Sequence, residues 1–290
     1  SFFASPGRVN LIGEHTDYNL GFVLPGAIDK AIYVGVKPND GQKCRIHSVD
    51  YDQSIEMDLH GEKPAQQWAR YIYGVVPEME KRGALIRPFD MTFGGDVPLG
   101  AGLSSSAALE SAVGFALNTV YNLGFSREQL AKIGQMTEHN YVGVRCGIMD
   151  QFAVAMGKKD HAVYLNTGDL SYEYVPVELK GVKLVLANSN KKHALNESAY
   201  NDRRRECEEA LRNLQEIMGI EALCQLDPDT FETCQKAIRD EDCRRRARHA
   251  VMENARTKKA VEVLKQGDIE AFGRLLNESH KSLSQDYEVT

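Results

Sequence analysis

Pro98 to Leu109 reads PLGAGLSSSAAL, and its residue types suit the holding of an anion. Gly100 and Gly102, either side of Ala101, lack a Cβ, so the backbone there can take a positive φ and approach a ligand closely. After Leu103, the serines Ser104, Ser105 and Ser106 put hydroxyls and N–H groups where the following helix leaves its first donors unpaired. The stretch is not the common P-loop, because Leu103 follows Gly102 where that motif needs a lysine. A Gly/Ser turn that merely starts a small-residue helix would carry the same residues.

Two other segments concentrate polar chemistry. Gly13 to Asn19, GEHTDYN, crowds two carboxylates and an imidazole into four positions, a density that suits a polyhydroxylated ligand such as a sugar. Read alone, it fits better a polar turn whose acids cap neighbouring backbone. Asp150 sits between Met149 and Phe152 in CGIMDQF, company that raises a carboxylate's pKa unless a cation offsets it. Most such aspartates are caps or solvated groups.

The elements that must position these residues follow from periodicity. Arg8 to Ile12 alternates like a short strand and feeds the GEHTDYN loop. Ala31 to Lys37, Lys43 to Ser48 and Ser54 to Leu59 alternate likewise, and their turns suggest an antiparallel sheet. Trp68 to Val76 has helical spacing, with the lone tryptophan as a core or domain-edge anchor. Phe89 to Gly94 is the strand leading into the glycine loop. Leu109, Ala112, Val113, Ala116, Leu117 and Val120 then mark a helix with one buried face, Gly124 standing at its C-cap. Ser126 and Gln129 form a capping box opening a helix that carries Glu138. His161 to Asn166, Tyr172 to Val177 and Lys183 to Ala187 look like strands, with a hairpin turn at Gly168 and Asp169. Beyond Ser189, a polar stretch with His193, Asn196 and Tyr200 leads into a helix-rich part. Acids flank its arginine runs at 203–205 and 244–246, so they read as solvated faces with i,i+4 pairing.

The chain has 290 residues, 42% hydrophobic and 26% charged, an ordinary globular balance with room for two domains. Its net charge of −6, from 35 basic and 41 acidic side chains, argues against generic binding to nucleic acid or to an anionic membrane. The six cysteines form no CxxC pair, and neither a secretory leader nor a long apolar run is present, which points to the cytoplasm. Ser1 is not an initiator residue, and the chain stops at Thr290 straight after an amphipathic segment, as a fragment would.

Together, PGRVNLIGEHTDYN (6–19), PLGAGLSSSAAL (98–109), GIMDQF (147–152) and SAYNDRRRECE (198–208) resemble the galactokinases. These are the galactose branch of the GHMP superfamily, which also includes homoserine, mevalonate and phosphomevalonate kinases. GAGLSSSA alone marks the superfamily, and RVNLIGEHTDY points to the branch. The resemblance implies ATP-dependent phosphorylation of the anomeric hydroxyl of α-D-galactose, with Mg²⁺, by a monomer. By matching position, Asp150 would be the base and Arg8 the cation that orients it. Glu14, His15, Asp17, Gly147 and Tyr200 would contact the sugar. Gly100, Ala101, Gly102, Leu103, Ser104, Ser105 and Ser106 would hold the triphosphate, with Ser48 near the nucleotide and Ser106 and Glu138 on magnesium. The implied fold is α+β: an N-terminal mixed-sheet domain with helices over 1–178, and a ferredoxin-like α+β domain over 179–290. The second is expected to be incomplete, because the superfamily's third, Gly/Ala-rich motif has no counterpart before Thr290, and weak or no turnover is expected of residues 1–290 alone. An N-acetylgalactosamine or arabinose kinase, or a non-catalytic galactose and ATP sensor, are the competing readings.

Overall fold

Strands with apolar residues at every second position and helices with apolar stripes account for most of the architecture. A computed structural model describes residues 1–178, 181–188 and 196–289. In chain order its main elements are β1 (Phe2–Asn10), β2 (Phe22–Val23), β3 (Pro25–Pro38), β4 (Cys44–Ser48), β5 (Gln53–Met57), α1 (Gln67–Glu80), β6 (Phe89–Gly95), α2 (Ser105–Val120), α3 (Arg127–Thr137) and α4 (Met149–Met156). They continue with β7 (His161–Asn166), β8 (Tyr172–Pro176), α5 (Asn196–Gln215), α6 (Pro228–Cys234), α7 (Glu241–Lys265) and α8 (Ile269–Gln285). None of these helices is long and apolar enough to cross a membrane.

The chain divides into two compact units, one of 1–9 with 27–157 and the other of 10–26 with 158–290. The division therefore does not follow the single cut near residue 178. Strands β7 and β8 pair antiparallel with each other, and β7 pairs antiparallel with β2, which ties residues 161–176 to the segment around Phe22.

In the first unit the sheet order is β1-β3-β6-β4-β5. The antiparallel arrangement expected of residues 31–59 holds for β4 with β5, but the sheet as a whole is mixed. After α1 crosses over, β6 inserts between β3 and β4, antiparallel to the former and parallel to the latter. Phe89, Met91 and Phe93 of β6 point to the same core as Val34, Val36 and Ile46. Ile72, Val75, Val76 and Met79 of α1 close it at i, i+3, i+4 and i+7, beside Leu109, Ala112, Val113, Ala116 and Leu117 of α2. The capping box at α3 forms in both directions, Gln129 N–H donating to Ser126 Oγ and Ser126 N–H to Gln129 Oε1. Glu138 lies just past α3, in a π-helical turn Glu138–Val142. Helix α2 ends at Val120, before Gly124, which takes a positive φ in the turn that follows.

The second unit has a three-stranded antiparallel sheet, β2-β7-β8. Ile12, Leu24, Ala162 and Val175 pack with Val261, Leu264 and Phe272 of α7 and α8. A second cluster joins Cys207, Leu214, Phe231, Ile238, Ala247, Ala250 and Tyr287. Residues 183–187 form no strand: that run is exposed and has no pairing partner strand among the described residues. His193 lies outside the described residues. The arginine runs pair locally as expected, for example Arg204 with Glu208 and Arg244 with Glu241. Arg246 departs from the solvated-face reading: its side chain is buried and bridges Glu206 at 2.8 Å and Glu288 at 2.7 Å.

Candidate active site

Strand β1 delivers Arg8 to the glycine loop. Gly7 makes this approach possible, since a Cβ there would stand 2.8 Å from the Leu103 carbonyl oxygen. Arg8 N–H then donates to Leu103 O at 3.1 Å, and Arg8 Nη1 donates to Gly102 O at 2.6 Å. The other edge of the guanidinium faces the first turn of α4, with Nε and Nη2 donating to Asp150 Oδ1 at 2.9 and 2.6 Å. Asp150 Oδ2 accepts the Ser104 hydroxyl at 2.5 Å. Arg8 and Asp150, 142 residues apart in the chain, thus form one charge-assisted pair whose carboxylate is still 30% exposed.

The loop that the pair abuts has positive φ at every second residue, Gly100 at 69°, Gly102 at 73° and Ser104 at 57°. Backbone of alternating sign turns successive N–H groups toward one side, an anion-binding concavity. Ser104 is the N-cap of α2, yet its hydroxyl makes no cap bond and serves Asp150 instead. The helix therefore begins without the side-chain cap that would otherwise occupy its first donors.

Ser105 and Ser106, in the first turn of α2, line a pocket of about 210 Å³ with Tyr51, Trp68, Phe93 and Leu99. Trp68 stacks near-parallel to Tyr51 with ring centroids 6.4 Å apart, and lies 5.5 Å from Phe93. This aromatic cluster is not legible in the sequence. Phe93 alternates like any core strand residue, Tyr51 sits in a turn, and no spacing pairs either with Trp68. Ser48, at the end of β4, is fully buried, and its hydroxyl has no hydrogen-bond partner among the described residues.

Beside Asp150 lies a buried acidic pair. Gln151 Nε2 reaches Glu110 Oε2 at 3.4 Å and Glu138 Oε1 at 3.5 Å. Burial, reinforced by the charge of Glu138, raises the pKa of Glu110 well above the usual carboxylate range. No group of three or more His, Cys, Asp or Glu among the described residues could hold a metal ion. Gly147 follows Cys146, whose carbonyl is held by His139 Nε2 at 2.7 Å.

The second unit gathers the GEHTDYN residues. Asn10 Nδ2 donates to Glu14 Oε1 at 2.9 Å. Asp17 is buried and opens a 3-10 turn, Asp17–Asn19. His15 has φ 61° and is half-buried, its ring 5.6 Å from Tyr200 and 4.6 Å from Tyr287. Burial, with smaller contributions from His249 and Arg203, lowers its pKa to about 3, so the imidazole is neutral. His15 Nδ1 bonds Tyr18 OH at 2.9 Å, which bonds Tyr287 OH at 2.7 Å. Tyr287, near the end of the chain, is a member of this constellation that sequence reasoning did not single out.

The GHMP kinases N terminal domain pattern matches residues 70–158, which contain the glycine loop and Asp150. Fold and loop together define a GHMP kinase. The galactokinase galactose-binding signature matches residues 1–38. Galactokinase of Streptococcus suis (strain 05ZYH33) is 44% identical over 293 residues, 99% of this chain and 75% of that protein. Galactokinase of Lactiplantibacillus plantarum is 48% identical over 294 residues, 99% of this chain and 76% of that protein. The crystal structure of Lactococcus lactis galactokinase complexed with galactose matches with a TM-score of 0.96 at 41% identity, covering 100% of this chain and 76% of that one. The chain belongs to the galactokinase family.

Proposed function

We infer that this protein transfers the γ-phosphoryl group of ATP to the anomeric hydroxyl of α-D-galactose, giving galactose 1-phosphate and ADP. The observation that carries this reading is the carboxylate of Asp150, held by Arg8 on one oxygen and Ser104 on the other, against a loop shaped for phosphate. Phosphoryl transfer asks mainly for alignment and charge neutralisation. The N–H groups of residues 100–106 supply both for the triphosphate, and Arg8 adds a fixed positive charge where the transferring group gathers negative charge. Asp150 takes the proton of the sugar hydroxyl as that oxygen attacks phosphorus. Glu14, His15, Asp17, Gly147 and Tyr200 hold the sugar, the neutral His15 through hydrogen bonding rather than charge. The adenine base stacks in the pocket of Trp68, Tyr51 and Phe93, with Ser48 near the nucleotide.

The donor set at α2 and the π turn fits magnesium. It offers the Ser106 hydroxyl and the Glu138 carboxylate, both hard oxygens, beside the orphaned and buried Glu110 Oε1, an acidic spot that a divalent cation relieves. When bound there, the ion would neutralise phosphate charge, the phosphates and water supplying its remaining ligands.

The test is ADP release by the chain extended through the third motif, measured across galactose, N-acetylgalactosamine, arabinose, homoserine and mevalonate. Galactose is expected to give the highest kcat/KM. A higher value with any other acceptor, or galactose binding without ADP release, overturns the reading.

A further inference from the structure

The segment 13–22 is conformationally costly. Gly13 has φ 96°, and a Cβ there would meet Phe22 O at 2.7 Å, while His15 and Leu20 take left-handed φ values of 61° and 57°. Such backbone persists only where its surroundings over-determine it. One face of α7 does so here. Glu253, fully buried, accepts Gly13 N–H at 3.0 Å and Glu14 N–H at 3.4 Å on Oε1, which also takes the Ser279 hydroxyl at 2.6 Å, while Oε2 pairs with Arg256. One turn earlier, His249 Nε2 meets Glu14 O at 2.9 Å. A carbonyl oxygen only accepts, so Nε2 carries the proton. Asn254 Oδ1 accepts Phe22 N–H at 2.8 Å and its Nδ2 donates to Cys224 O at 2.9 Å.

We propose that Glu253 and His249 are positioning residues for galactose: they clamp the peptide groups on both sides of Glu14 and so aim Glu14 and His15 at the sugar, touching no substrate themselves. The assignment rests on the reading of residues 14–17 as sugar contacts. It makes sugar affinity a property of helix α7 as much as of the loop. The polar side chains on this face have partners on the loop backbone rather than on solvent, which packing alone would not require.

The experiment measures galactose binding by calorimetry, and KM and kcat for galactose and ATP, on the full chain. Glu253→Met and His249→Leu, which remove the acceptor and the donor, are each expected to weaken galactose binding by roughly tenfold or more, the factor that one bond of this kind is worth, with KM for ATP unchanged. His249→Gln, which keeps a donor near the position of Nε2, is expected to restore most of the affinity. If His249→Leu does not fold, Glu253→Met decides alone, and Glu253→Gln, which keeps an acceptor, is expected to retain most of the affinity. Folded Glu253→Met or His249→Leu with wild-type galactose affinity, or with KM for ATP rising equally, overturns the proposal. Hydrogen exchange of residues 13–18 in the unaltered protein separates the two levels: if galactose leaves it unchanged, the loop is not the sugar site, and both readings fall.

Discussion

At Asp150 both carboxylate oxygens are already engaged, Oδ1 by Arg8 and Oδ2 by Ser104. Asp150→Asn keeps the shape and one acceptor but cannot take up a proton from a hydroxyl. It is expected to leave galactose affinity within about twofold and to lower kcat by on the order of 10²–10⁴, the usual contribution of a positioned base. Calorimetry and ADP release check the two halves, and near-normal turnover would remove Asp150 from the chemistry. Arg8→Lys tests the fork: an ammonium cannot bridge Gly102 O and Asp150 together as the guanidinium does, so kcat should fall even though the charge stays. The family resemblance paired Arg8 with Asp150, and the ion pair between them is present, but residue types and spacing alone could not have paired them. Nothing local ties Arg8 to a carboxylate 142 positions away, and Asp150 alone resembles any loop acid.

Among the elements, the proposed function has the glycine loop and the aromatic pocket divide the nucleotide between them. Gly102 has φ 73° with open space where a Cβ would go, so Gly102→Ala meets backbone strain alone, about 1–2 kcal/mol. A raised KM for ATP and a modestly lower melting temperature are expected. Trp68→Ala removes a stacking surface from the pocket of Tyr51 and Phe93. Because base stacking on an aromatic ring is worth about 1–3 kcal/mol, KM for ATP should rise roughly tenfold while KM for galactose holds. A parallel rise in both would make Trp68 merely a core residue. Periodicity read α1, α2, β6 and the capping box of α3 closely, because each is a local pattern. It missed the insertion of β6 between β3 and β4, since strand order depends on a crossover rather than on any strand's own residues. The alternation of Lys183 to Ala187 also misled: among the described residues no neighbouring strand is there for it to pair with.

For the molecule as a whole, acid should be destabilising in a way the histidines control. His15, at about 3, and His249, also lowered by burial, stay neutral in the folded protein, whereas the unfolded chain protonates them near pH 6.5. The unfolded state then binds more protons, so stability falls as pH drops below about 6.5, by up to about 1.4 kcal/mol per pH unit for each histidine. For His15 this continues to about pH 3. Glu110 opposes the trend, since its raised pKa lets the folded state hold a proton that the unfolded chain has lost. Melting temperatures from pH 7.5 to 5 should therefore fall less steeply for His15→Gln than for the unaltered protein, and parallel profiles would mean that the imidazole is solvated. Sequence reading reached the α+β class but not the composition of the second unit, which takes residues 10–26 from far upstream. That detour bears on how the protein is made. Gly13 bonds a carboxylate 240 residues further on, so at about 5–20 residues per second the ribosome completes the clamp only roughly 10–50 s after the loop has emerged. Until α7 is synthesised, the nascent loop has no template for its left-handed backbone, and a message cut short before Glu253 yields chains that have the GEHTDYN letters without their shape.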